Sequence, residues 1–289
     1  MAEHIPVLLS EVIAMLMPQD GKIYFDGTFG GGGYSRAILE STNCKVVAVD
    51  RDEYVKKIAN EFSKKYPQRF YFAHSRYSGV CDVLKKFSLQ KLDGIVLDLG
   101  LSNFQLNDDE RGFSFNAAGA LDMQMGLCDE NAMEVIHKYS ETDLANIIFE
   151  LGEESFSRRI AKNIKLHLSE IKTAADLAEI VSRSVRRRGK IDAATKTFQA
   201  LRIFVNDELN ELKSILKNSI NLLNPGGKIV IVSFHSLEDR IVKLFFRELA
   251  QQNSAFQFLT KKPIVPSDEE TKINPKSRSA KLRGICMVG

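Results

Sequence analysis

Cysteine is scarce: Cys44, Cys81, Cys128 and Cys286 are all that 289 residues contain, and no two form a CxxC pair. The five histidines add no HxxxH or HxH spacing near them. Neither a disulfide scaffold nor a zinc site is expected, and no metal ligand is assigned. Also missing is any run approaching the roughly twenty uncharged apolar residues that a membrane span requires. The N-terminal stretch MAEHIPVLLSEVIAMLMPQD carries Glu3 where a signal peptide wants a basic start, and Glu11 interrupts its apolar run. A cytoplasmic location without a membrane partner is the expectation. Charge of one sign is lacking as well, since 40 Lys and Arg face 37 Asp and Glu. Any affinity for nucleic acid must then come from local clusters. No internal repeat or low-complexity segment is visible, and 44% hydrophobic content suffices for one large domain or a domain with an insertion.

Short apolar runs bounded by turn residues recur in the first third: KIYFD at 22–26, KVVAVD at 45–50, RFYFAH at 69–74 and DGIVLDLG at 93–100. These read as buried strands, and the helix-length stretches 35–40 and 53–65 between them predict a parallel sheet covered on both faces. The alternation stops from about 107 to 204, where helical periodicity takes over. There Ser140 with Asp143 resembles a capping box, and Thr173 can cap a helix running to Arg188 and stopped by Gly189. A helix over 208–223, a breaker at 224–227 and a strand over 228–234 then resume the α/β pattern. An amphipathic helix over 237–249 and two β-like runs, FQFLTKK from Phe256 and RGICMV from Arg283, finish the chain. The expected organisation is a sheet domain in two parts, 1–106 and 205–289, split by a helical substrate-recognition insertion at 107–204.

The segment DGTFGGGGYS at 26–35 lies between the first strand and a helix, where an open α/β sheet binds its ligand. It lacks the lysine of a P-loop, and the GxGxxG dinucleotide spacing fails at its third position, which disfavours an NAD-dependent dehydrogenase. What remains is an acidic residue ending a strand before a glycine-rich turn, the layout of S-adenosylmethionine-dependent methyltransferases, whose cofactor is cationic at sulfur. Asp50, ending the second strand, can accept hydrogen bonds from both ribose hydroxyls of a nucleoside or can cap the next helix. Tyr77, past the third strand, can lay its ring on adenine or simply pack in the rim.

Asp98 ends the fourth strand in DLGLSNFQ and is the candidate catalytic residue: a carboxylate can align an amine nucleophile and hold its developing charge. Gln105, seven residues on, offers a donor and an acceptor to cofactor or base. RGFSF at 111–115 couples a cation to two aromatics, a combination suited to an unpaired base and a phosphate, or to a loop packed on the core. VRRRGK at 185–190, with Lys276, Arg278, Lys281 and Arg283, suggests a polyanionic face. His235, in FHSLEDR, is open between lining a pocket and a hydrogen-bonded structural role.

Together with HIPVLLSE at 4, LDLGLSNFQLNDDERGFSF at 97, GALDMQM at 119, LGEESFSRRIA at 151, TKTFQALRIFVNDEL at 195, NPGGKIVIVSFHSLEDRIVK at 224 and NPKSRSAKLR at 274, these motifs span nearly the whole chain. They resemble the ribosomal RNA small-subunit methyltransferase H family. The resemblance implies a Rossmann-like class I S-adenosylmethionine methyltransferase sheet with an inserted α-helical subdomain. It implies as substrate a cytidine of 16S rRNA in the decoding region of the small ribosomal subunit, methylated on N4. Cofactor contacts implied by the family fall on Gly32, Gly33, Tyr34, Asp50, Tyr77, Asp98 and Gln105. Tyr34, Asn103 and Gln124 depart from the residues usual there, namely histidine, serine and arginine. The reading from another class is an RNA-binding assembly factor that kept the fold without turnover. The sequence decides neither the oligomeric state, monomer or homodimer, nor whether naked RNA suffices as substrate.

Overall fold

The computed structural model describes residues 6–106, 108–185 and 192–289. By chain contacts it divides into two compact units, Met1–Gly100 with Leu209–Gly289, and Leu101–Glu208.

The first unit holds the strands β1 (Ile23–Asp26), β2 (Lys45–Asp50), β3 (Phe70–His74), β4 (Leu92–Asp98), β5 (Leu223–Ser233), β6 (Phe256–Phe258) and β7 (Lys281–Met287). Helices α1 (Leu9–Leu16), α2 (Gly33–Ser41), α3 (Lys56–Lys65) and α4 (Val80–Lys86) accompany them. The second unit holds α5 (Asn103–Leu106), α6 (Ala132–Lys138), α7 (Glu141–Gly152), α8 (Ser157–Leu166), α9 (Ala174–Ser184) and α10 (Thr195–Asn206). After it come α11 (Glu208–Leu222), α12 (Ser236–Gln252) and α13 (Asp268–Ile273).

The strands form one sheet in the order β3-β2-β1-β4-β5-β7-β6. The first five are parallel, and β7 runs antiparallel to both β5 and β6. Side chains of a strand point alternately to either face, and each face of this sheet is apolar. Val46, Ala48, Val96 and Val230 pack with residues of α1, α2 and α3, whereas Val47, Val49, Ile95 and Ile229 pack with α4, α11 and α12. Burial on both faces is why β2 and β4 read as unbroken apolar runs rather than as alternation. The expected α/β sheet is therefore what the chain forms.

From β1 the chain winds outward through β2 and β3, then crosses back to place β4 on the other side of β1. Between β1 and β4 the winding direction reverses, and the crevice beyond the carboxyl ends of those two strands is where such sheets bind ligands. Asp26 and Asp98 are the last residues of β1 and β4.

One expected boundary is wrong. The breaker at residues 224–227 does not precede β5 but lies inside it: Leu92 pairs with Leu223, and the next pairing is Gly94 with Lys228. The residues between bulge out of the ladder, with Gly226 at φ 81. Helices α1 and α4 are additional to the expected elements. Helix α1 falls in the N-terminal apolar stretch, where Val12, Met15 and Leu16 are its buried residues.

The helical unit has its own core, with Leu121, Met123, Leu144, Ile148, Ile160, Leu177 and Leu201 fully buried. Two of its helices start at the caps expected from the sequence. The Ser140 hydroxyl accepts the Asp143 N–H at 3.1 Å, and Thr173 forms a capping box with Asp176. Asn131 does the same with Glu134. The helix expected to reach Arg188 stops earlier, at Ser184, where Val185 turns to an extended conformation at φ −132. The basic residues 186–190 and the departure at the Asn103 side chain lie outside the described residues.

Candidate active site

The turn leaving β1 is built around two carboxylates, Asp26, which is buried, and Asp50, which is partly exposed. Asp26 is fully buried; its Oδ2 accepts the Ser35 hydroxyl at 2.6 Å and its Oδ1 accepts the Thr28 N–H at 3.1 Å. Asp26 thus holds the first turn of α2 against the end of β1. Asp50 holds the glycines: its Oδ2 accepts the Gly30 N–H at 2.7 Å while its Oδ1 accepts the Asp52 N–H at 2.9 Å. Within the turn the Gly32 N–H donates to the Phe29 carbonyl at 2.7 Å.

Glycine is required here for two reasons. Gly32 sits at φ 76, in the left-handed region, and a Cβ on it would come within 2.5 Å of the Phe62 ring. Gly33 is covered by the Pro6 ring, which a Cβ would overlap. The next residue, Tyr34, is 3% exposed, and its hydroxyl donates to the Val7 carbonyl. Burial pushes its phenol well above the ordinary 10.0, with the Asp98 carboxylate next in effect.

Tyr77 begins a single 3-10 turn after β3, and its Cβ lies 3.1 Å from where a Cβ on Gly27 would be. Helix α11 brackets that turn. The Arg76 guanidinium meets Glu211 at 3.3 Å, and the Asn218 side chain donates to the Ser78 carbonyl at 3.3 Å.

Asp98 is tied to the glycine turn through its backbone, whose N–H donates to the Thr28 hydroxyl at 2.7 Å. Its side chain is partly exposed, yet Oδ1 is sealed from solvent and has no hydrogen-bond partner among the described residues. A buried acceptor without a donor is costly, and in a ligand site it marks a place for a ligand's N–H or positive charge. Burial raises the Asp98 carboxyl from 3.8 to about 7, helped by the neighbouring Asp26 and Glu238 carboxylates and opposed by the Gly100 N–H. Burial likewise raises Asp26 to about 6 against the pull of the Ser35 hydroxyl. Asp50 is raised by burial to about 6 against the N–H donors of Asp52 and Gly30. Like charges gathered at the ends of β1, β2 and β4 favour a cationic ligand over an anionic one.

The structure thus brings Gly32, Gly33, Tyr34, Asp50, Tyr77 and Asp98 to the carboxyl edge of one sheet. Gln105 belongs to the helical unit, where its Oε1 accepts the Ser102 N–H at 2.9 Å. His235 is the N-cap of α12. Its Nδ1 accepts the Glu238 N–H at 3.4 Å, and Glu238 reaches back to the Phe234 and His235 N–H groups. Of the two readings of His235, the structural one describes these contacts. RGFSF packs inward: Arg111 donates to the Gln124 carbonyl at 2.7 Å and lies over Phe113, a core residue. Lys281 and Arg283 both pair with Asp239, at 3.1 and 2.6 Å. Thr28, Ser35 and Glu238 went unnoticed in the sequence, and of these only Glu238 left a signal there, as the third residue after the cap of an amphipathic helix.

The model of the MraW methylase family matches residues 1–287. The chain belongs to that family. Relatives named "Ribosomal RNA small subunit methyltransferase H" are similar over their whole length. One from Ehrlichia chaffeensis is 48% identical over 99% of this chain and 100% of its own. One from Rickettsia canadensis is 49% identical over 97% and 96%, and one from Wolbachia is 49% identical over 98% and 98%. As an MraW-family methylase the chain is a methyltransferase, and S-adenosylmethionine is its methyl donor. The residues present fit that group. The glycine turn admits close backbone approach, the carboxylates suit a sulfonium, and Asp98 retains an unused acceptor.

Proposed function

We propose that this MraW-family methyltransferase acts in the cytoplasm and methylates the N4 amine of a cytidine in the decoding region of the small subunit's 16S rRNA. The observation that carries the reading is Asp98 Oδ1: a sealed, unpartnered carboxylate oxygen at the end of β4, beside the switch point of the sheet. When bound, the cofactor supplies an electrophilic methyl on a positively charged sulfur.

The protein's own groups then have distinct tasks. The lone pair of a cytosine amine is delocalised into the ring, so the amine is a poor nucleophile. Accepting its N–H at Asp98 localises the pair, aims it, and gives the proton released on methylation a place to go. A carboxyl raised to about 7 accepts that proton more readily than an ordinary aspartate does. Asp50 accepts the ribose hydroxyls, Tyr77 covers the adenine, and Gly32 and Gly33 let the backbone close on the methionine end. Tyr34 serves beside them, and Gln105 offers its amide as the remaining contact the family implies. Residues 107–204 recognise the RNA, and 1–106 with 205–289 form the catalytic part. Among the described residues no helix is long and apolar enough to cross a membrane.

Mass spectrometry of the 16S rRNA fragment from cells lacking the protein tests the reading. Loss of the N4-methyl, restored by the wild-type gene, is expected; persistence of the methyl rejects it. The assembly-factor alternative is not favoured. The departures at Tyr34 and Gln124 would argue for it, but neither removes a strand-end carboxylate.

A further inference from the structure

Three consecutive residues ahead of α1 are each pinned near the glycine turn. The Pro6 ring lies against Gly33, the Val7 carbonyl accepts the Tyr34 hydroxyl, and the Leu8 N–H donates to Glu270 Oε1 at 2.8 Å. All three are buried, Val7 to 4% and Leu8 to 1% exposure. Leu8 is held at φ 54, a left-handed conformation that leucine rarely adopts unless its surroundings impose it. Its partner Glu270 lies in α13, 262 residues along the chain.

A run of four glycines has little shape of its own, because glycine loses more conformational freedom on ordering than any other residue. Asp50 fixes the turn at Gly30, and the Phe62 ring walls it at Gly32. On Gly33 the wall is Pro6, and Pro6 is held only as firmly as the segment to which it belongs.

We propose that residues 6–8 form a strap that keeps the glycine turn in its cofactor-binding shape, with Tyr34 and Glu270 as positioning residues acting through it. Neither residue has to touch the cofactor. The proposal rests on reading the glycine turn as the cofactor's seat. It also gives Tyr34 a task suited to its chemistry: a phenol reaches the Val7 carbonyl from inside the fold and satisfies it there.

Calorimetry with S-adenosylmethionine on full-length Tyr34→Phe, Glu270→Ala, Glu270→Gln and the double variant Tyr34→Phe/Glu270→Ala provides the test, with melting curves to establish that each is folded. Tyr34→Phe and Glu270→Ala should each weaken binding about three- to tenfold, the worth of one net hydrogen bond. Each should raise KM for the cofactor and leave kcat at saturation unchanged. Glu270→Gln should bind like wild type, because its amide oxygen still accepts the Leu8 N–H. The double variant should be no worse than the weaker single one, since either change frees the same strap. Weakening by Tyr34→Phe alone would mean direct contact with the cofactor and would overturn the strap, as would a double variant whose loss is the product of the two single losses. Asp50→Ala separates the underlying assumption: unchanged cofactor binding in that variant removes the seat itself, whatever the strap variants do.

Discussion

The Thr28 hydroxyl accepts the backbone N–H of Asp98 at 2.7 Å. One residue earlier the Gly27 N–H donates to the Val96 carbonyl at 3.1 Å. The turn leaving β1 is thereby an extension of the β1/β4 ladder, and the candidate catalytic carboxylate is indexed to the glycine turn through backbone rather than through mobile side chains. Positioning of this kind is what a displacement reaction needs from its protein.

Asp98→Ala is expected to lower methyl transfer by roughly a hundredfold or more, the usual worth of a positioned proton acceptor. Binding of the RNA substrate should change far less. Single-turnover transfer and filter binding measured on the same preparation separate the two. Equal losses in both would take Asp98 out of the catalytic role.

The raised carboxyls make opposite predictions for function and for stability. A cationic cofactor is attracted by ionised Asp26, Asp50 and Asp98, so its affinity should rise with pH through the window from about 6 to about 7. S-adenosylhomocysteine lacks the positive sulfur and should show a flatter profile. For the free protein the sign reverses. These groups are protonated more readily folded than unfolded, so the stability they contribute is full below the ordinary 3.8 and is lost as pH rises through about 6 and 7. Calorimetric titration of both ligands, with melting curves of the free protein from pH 5 to 8, checks each limb.

Glu238 supplies a finer test. Its carboxylate adds to the rise at Asp98, after burial and Asp26. Glu238→Gln keeps an oxygen for the Phe234 N–H, which Glu238 now accepts at 2.9 Å, but removes the charge. The acid limb of the pH–rate profile should then move to lower pH with the maximal rate largely kept. A limb that stays in place would assign it to another group.

What the sequence made legible follows from where the physics is local. Strands β1 to β4 announced themselves because burial on two faces leaves apolar runs such as KVVAVD, and Ser140 and Thr173 announced their helices because capping is settled within four residues. Asp50 and Asp98 were readable as strand-end carboxylates for the same reason. Helix α1 is hidden because no cap announces it: Leu8, at its start, offers no side-chain hydrogen bond. For His235 the structural role is one of two readings the sequence leaves open, because histidine is an uncommon cap and only Glu238, three residues on, signals the box. Arg111 appeared available to RNA because the sequence does not reveal that Phe113 beneath it belongs to the core. The contacts of Thr28 with Asp98 and of Leu8 with Glu270 join residues 70 and 262 positions apart, and no local pattern encodes them.

Two glycines with nearly the same backbone conformation separate the cost of that conformation from the cost of space. Gly32 has φ 76 and Gly226 has φ 81. An alanine at either would pay about 1–2 kcal/mol for the left-handed region. At Gly226 nothing lies within 4 Å of the added Cβ, so that is the whole penalty expected. At Gly32 the methyl meets Phe62 at 2.5 Å. Phe62 cannot swing aside, since it is packed edge-on against Phe29 at 5.2 Å and against Phe70 at 5.3 Å. Overpacking there should add roughly another 1–3 kcal/mol. Gly32→Ala is therefore expected to be the less stable of the two in urea denaturation. It alone should weaken S-adenosylmethionine binding, because Phe62 and the turn must move apart where the cofactor is to lie. Equal stability losses with unchanged cofactor binding would mean that the turn at Gly32 yields freely and is not the rigid cradle its packing describes.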